Sequence, residues 1–120
     1  MRRLRSALSV LAAAATLLLA PPALAHSMSE EIDHLLNFIA ASPCALIRNG
    51  VSYDGEAAVA HIKDKYDYYR NDIHSAEDFI ALAASKSAMS GKPYLVQCNT
   101  STVPAADWLK TELAAFRRQP

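Results

Sequence analysis

Cys44-Ala45-Leu46-Ile47-Arg48-Asn49-Gly50-Val51-Ser52-Tyr53 decides how this 120-residue chain folds. Asn-Gly tolerates the positive φ angles of a type I′ turn, so the flanking segments read as a β-hairpin. A two-residue turn fixes the register: Arg48 faces Val51 and Leu46 faces Tyr53. Alternation then puts Cys44, Leu46, Val51 and Tyr53 on one face, the expected core side, and Ala45, Ile47 and Ser52 on the other.

A third strand is expected at Tyr94-Leu-Val-Gln-Cys98. Laid antiparallel beside the first, it sets Cys98 opposite Cys44, Val96 opposite Leu46 and Tyr94 opposite Arg48. The register that lets the cysteines meet also matches the apolar faces. An isolated pair in an exported chain reads as a structural disulfide, worth roughly 4 kcal/mol on the chain-entropy model. A reactive or metal-bound pair is the alternative, but a redox catalyst more often carries Cys-x-x-Cys.

Four amphipathic helices surround these strands. Ser27-x-x-Glu30 is a capping box, followed by Ile32, Leu35, Leu36 and Ile39 at helical spacing; Pro43 ends this helix by about Ser42. Asp54 caps a second helix from about Gly55 to Arg70, with Val59, Ile62, Tyr66 and Tyr69 as its buried stripe. Ser75 caps a third, carrying Phe79, Ile80, Ala83 and Ala84 and expected to end near Met89, with Gly91 as its cap. Asn99 to Val103 reads as a polar loop. Pro104 lies in the first turn of the last helix, which turns Leu109, Leu113 and Phe116 inward. The order α-β-β-α-α-β-α gives a small α+β domain, with helices covering a three-stranded antiparallel sheet.

Residues 1–25 read as a Sec-type signal peptide. Arg2, Arg3 and Arg5 precede an apolar run from about Ala7 to Ala20, and Ala23-Leu24-Ala25 supplies a small-x-small exit before His26. The run is short for a membrane span and two prolines follow it, so no stable membrane insertion is expected after cleavage. Residues 26–120 then form one domain. The leader takes three of the 12 basic residues and none of the 12 acidic ones, leaving a mildly negative domain. Such a balance disfavours nucleic acid, which rewards clustered positive charge.

Three polar groups could carry chemistry. Ser85, Ser87 and Ser90 lie near Lys86 and Lys92, and a serine beside a desolvated lysine or an imidazole can act as a nucleophile. The Ser-x-x-Lys spacing is missing, and Ser90-Gly91-Lys92 lacks the upstream glycine of a phosphate loop; a helix end with lysines complementing its dipole is the plainer reading. His61 and Lys65 stand one turn apart on the second helix, with Tyr68 extending the row. Arg48 is placed beside Tyr94, where it could stack on the ring or receive a carboxylate or phosphate. His61, His74, Asp72 and Asp78 match no zinc signature, so no metal and no cofactor is expected.

The run Glu31-Ile-Asp-His-Leu-Leu-Asn-Phe-Ile39, then Cys44, Arg48-Asn-Gly50, His61, Lys65-Tyr66, Ser75-Ala-Glu-Asp-Phe-Ile80, Ala84-Ser-Lys-Ser87, Ser90-Gly-Lys-Pro-Tyr94, Cys98 and Trp108-Leu109 resembles the YfeK-like proteins. These are small exported bacterial proteins grouped as a domain of unknown function. The resemblance spans nearly all of residues 29 to 117. It implies a Gram-negative periplasmic setting and one disulfide-linked domain, and it supplies no activity.

The expected function is a non-enzymatic binding or interaction module of the envelope. Arg48, His61, Lys65, Ser85, Ser87, Ser90, Lys92 and Tyr94 form its patch, and an envelope protein or small anionic ligand is its partner. The competing expectation is a small envelope hydrolase or transferase with a serine from 85–90 and His61 or Lys65 as base. A purely structural envelope protein is the third.

Overall fold

The computed structural model describes residues 25–120; the expected leader, apart from Ala25, lies outside the described residues. The observed order is α1 (Met28–Ala41), β1 (Ala45–Arg48), β2 (Val51–Tyr53), α2 (Gly55–Tyr68), a 3₁₀ turn (Arg70–Asp72), α3 (Ala76–Ala83), β3 (Leu95–Cys98), β4 (Ser101–Pro104) and α4 (Ala105–Arg117). Four helices and an antiparallel sheet of order β2-β1-β3-β4 make the α+β domain. No described helix is long and apolar enough to cross a membrane.

The hairpin has the expected register, with Leu46 opposite Tyr53 and Arg48 opposite Val51. Asn49 and Gly50 both take positive φ, 52° and 78°, as a type I′ turn requires. β3 pairs with β1 through Leu46 and Val96. Two residues further on, Cys44 and Cys98 form the disulfide, their α-carbons 4.6 Å apart.

The sheet has four strands where three were expected. The segment read as a polar loop turns at Asn99, φ 53°, and returns along β3 as β4. Asparagine tolerates the left-handed conformation that the reversal needs. All four β4 residues are exposed and Pro104 closes the strand, as befits an edge with no further neighbour. The other edge, β2, leaves Val51 53% exposed although its face is the core side.

The Leu46–Val96 face meets Ile32, Leu35, Ile39, Ile62, Phe79, Ile80, Leu109 and Leu113 in one core. Burial along α2 centres on Gly55, Ala58 and Ile62, while Val59, Tyr66 and Tyr69 are only half-buried. Small residues line that stripe because α2 packs against the end of α1: a Cβ on Gly55 would lie 2.4 Å from the Ile39 carbonyl oxygen. At the start of α1, the Ser27 hydroxyl accepts from the Glu30 amide at 3.1 Å. Glu31, nearly buried, accepts two hydrogen bonds from the Arg117 guanidinium at 2.6 and 2.9 Å, tying α1 to α4. Phe116 stacks on both the His26 and His34 rings, each at a centroid distance of 4.0 Å, and the His26 ring approaches the Gln119 carbonyl at 3.3 Å.

α3 stops at Ala83, six residues before its expected end. Ala84 leaves helical geometry, and residues 85–93 fold back on themselves through a Lys86–Pro93 bridge. The Ser87 amide donates to the Lys92 carbonyl at 3.0 Å, and the Gly91 amide to the Ser87 carbonyl at 2.9 Å. Gly91, at φ 72°, closes this loop instead of the helix.

A candidate anion site around Tyr94

Tyr94 precedes β3 and is 1% exposed. Its amide donates to the Ser85 carbonyl and its carbonyl accepts from the Ala105 amide, both at 2.9 Å, so both chain neighbours hold it. Its phenol reaches the end of the sheet where the β1–β2 turn, α2 and the 85–93 loop meet. Lys65 comes from α2: its Nζ donates to the Tyr94 hydroxyl at 3.2 Å and lies 4.9 Å from the ring centroid. The same ammonium also donates to the Lys86 carbonyl.

Arg48 enters from the end of β1. Of the two roles expected for it, stacking on Tyr94 or receiving an anion, the first is not found: it stacks on Tyr53, its guanidinium carbon 5.4 Å from that ring's centroid. Its Nη2 donates to the Tyr53 hydroxyl at 3.3 Å, and its Nε is buried without a hydrogen-bond partner among the described residues. The hairpin explains the preference, because it sets Tyr53 on the neighbouring strand, two positions from Arg48 on the same face. His61 backs this arrangement, meeting Tyr53 edge-on at 4.8 Å.

Among the described residues, none of Arg48, Lys65 and Lys86 forms an ion pair. Their charges act on one another. Burial, then the positive charges of Arg48 and Lys86, hold the Lys65 ammonium below the ordinary lysine range. Burial also pushes the Tyr94 phenol up, against the pull of Arg48. The hydrogen bond to Tyr53 raises Arg48 further, so its charge is fixed. Two half-buried cations beside a neutral phenol, with no ion-pair partner among the described residues, have the chemistry to accept a negative group.

The serines take other roles. Ser85 Oγ donates to the Ala81 carbonyl at 2.6 Å, at the end of α3. Ser87, 3% exposed, accepts from Asn49 Nδ2 at 3.2 Å, and Ser90 Oγ donates to Asn49 Oδ1 at 2.6 Å. Ser90 Oγ also accepts the Lys92 amide at 3.2 Å. These bonds lash the hairpin turn to the loop. Among the described residues none of the three hydroxyls hydrogen-bonds an imidazole or ammonium nitrogen, the contact that nucleophilic activation requires.

Of the eight residues singled out in the sequence, Arg48, Lys65 and Tyr94 form the cluster itself. His61 supports it through Tyr53. Ser87 and Ser90 border it through Asn49, Ser85 faces its own helix, and Lys92 contributes its backbone. Asn49, Tyr53 and Lys86 complete the picture; a polar side chain inside the Asn-Gly turn was the available signal for Asn49. Among the described residues no group of three metal-ligating side chains occurs.

A family model described as "Family of unknown function (DUF5329)" matches residues 26–117. The chain is also 38% identical over 89 residues to "Uncharacterized protein YfeK" of Salmonella typhimurium strain LT2, covering 71% of this chain and 74% of that one. No solved structure matches. With the family model spanning the whole described domain but its last residues, the chain belongs to the DUF5329 family of unknown function.

Proposed function

We propose that this protein is a non-enzymatic binding module of the bacterial envelope and that the cluster at Tyr94 receives a carboxylate or phosphate. The reading rests on one observation: Arg48 and Lys65 flank the buried Tyr94 phenol, the charge of Lys86 reaches Lys65, and none of the three forms an ion pair among the described residues. Export into the periplasm is supported by the leader pattern of residues 1–25 and by the Cys44–Cys98 disulfide. The test is titration with inorganic phosphate and with acetate, followed by amide chemical shifts. Saturable shifts centred on Arg48, Lys65 and Lys86, lost in Arg48→Gln and Lys65→Gln, are expected. Shifts that never saturate, or that persist in both variants, would remove the site.

A further inference from the structure

An ammonium has three N–H donors, and Lys65 commits one to the Lys86 carbonyl and one to the Tyr94 hydroxyl. The third has no partner among the described residues. The same side chain walls an open depression of about 310 Å³, whose other walls are Asp64, Tyr68, Tyr69 and Ala88. Tyr68 is 80% exposed, and its ring meets Tyr69 edge-on at 4.8 Å. A broad phenol left open beside a carboxylate and a free ammonium donor is a recognition surface of mixed chemistry.

The composition of the walls narrows the occupant. A purely hydrocarbon body would leave the Asp64 carboxylate and the remaining Lys65 donor unused, whereas a ligand with hydroxyls and an acidic group engages both. A pyranose ring suits Tyr68, Asp64 and Lys65 together: its C–H face lies on an aromatic ring, its hydroxyls donate to the carboxylate, and an acidic substituent accepts from Lys65. We infer that the depression binds the sugar ring of an anionic saccharide, with Tyr68 as the platform, Asp64 as the hydroxyl acceptor and Lys65 linking the sugar to the anion cluster. This rests on the anion-binding reading above and adds the class of molecule that carries the anion.

Calorimetric titration of the protein with inorganic phosphate, glucose 1-phosphate and phenyl phosphate tests both layers separately. Glucose 1-phosphate is expected to bind about tenfold more tightly than inorganic phosphate. Tyr68→Ala and Asp64→Asn should erase that gain while leaving phosphate affinity unchanged; both positions are exposed, so folding is not at risk. Equal affinity for glucose 1-phosphate and phosphate would overturn the sugar site and leave the anion site standing. Tighter binding of phenyl phosphate than of the sugar phosphate would overturn it in favour of an aromatic ligand. Failure of all three to bind would remove the anion site and the sugar site together.

Discussion

The α-carbon of Gly55 sits so near the Ile39 carbonyl oxygen that a Cβ would come within 2.4 Å of it, and within 2.7 Å of the Ala40 carbonyl oxygen. Both atoms are backbone, so neither can swing aside. Alanine ordinarily favours a helix over glycine by up to about 1 kcal/mol. Here Gly55→Ala is expected to destabilise by about 3 kcal/mol, through separation of α1 and α2. Urea denaturation measures it; an unchanged midpoint would contradict this packing.

Reduction of the disulfide should have a large effect on stability and a small one on the site. Cys44 and Cys98 are 54 residues apart in sequence, and opening such a loop should cost about 4 kcal/mol. The bridge lies at one end of the β1–β3 pair, whereas Arg48 and Tyr94 lie at the other. Denaturation with and without reductant measures the loss. Residual folded protein should retain phosphate-dependent shifts at Arg48.

The hairpin and the disulfide were legible in the sequence because Asn49-Gly50 is a turn signal with one register, and that register also aligned the cysteines. β4 was not, because the Asn99-Thr100 reversal carries no glycine and Ser101-Thr102 looks like loop. The early end of α3 was hidden because backbone bonds among Ser85, Ser87, Lys92 and Tyr94 compete with the helix, and no residue before Gly91 marks that competition. Arg48, Lys65 and Tyr94 could be singled out from strand register and helix spacing. That Arg48 and Lys65 form no ion pair among the described residues is a property of three dimensions.

Acid should weaken the Glu31–Arg117–Glu77 cluster. The Arg117 hydrogen bond holds the Glu77 carboxyl below its ordinary value of 4.5. The unfolded chain therefore takes up that proton first. This contribution is complete above 4.5 and is lost as pH falls through the lower folded value. Glu77→Gln should flatten that part of the stability–pH curve. Arg117→Ala, which leaves nearly buried Glu31 unpaired, should cost about 2 kcal/mol, less than for a fully buried pair because Arg117 is 43% exposed.

For Lys65 the sign is reversed. Its folded value lies below the ordinary 10.5, so the unfolded chain holds that proton more tightly. The full penalty applies below the folded value, and stability rises with pH between the two. Lys65→Met should therefore stabilise the unliganded protein at neutral pH by roughly 1 kcal/mol while abolishing phosphate binding. Thermal melts with and without phosphate measure both. A less stable Lys65→Met protein would mean that the contact with the Tyr94 ring outweighs the desolvation of the ammonium.

His26 and Gln119 meet beside Phe116, although 93 positions separate them in sequence. A short linker could splice these two positions, and new termini could be opened at the exposed Asn99–Thr100 reversal. A polypeptide rewired in this way would begin at β4 and finish at β3, with the Tyr94 cluster reached in a different order along the backbone. Ligand capture by such a permutant would show that recognition depends on where these side chains meet and not on the succession in which they are synthesised.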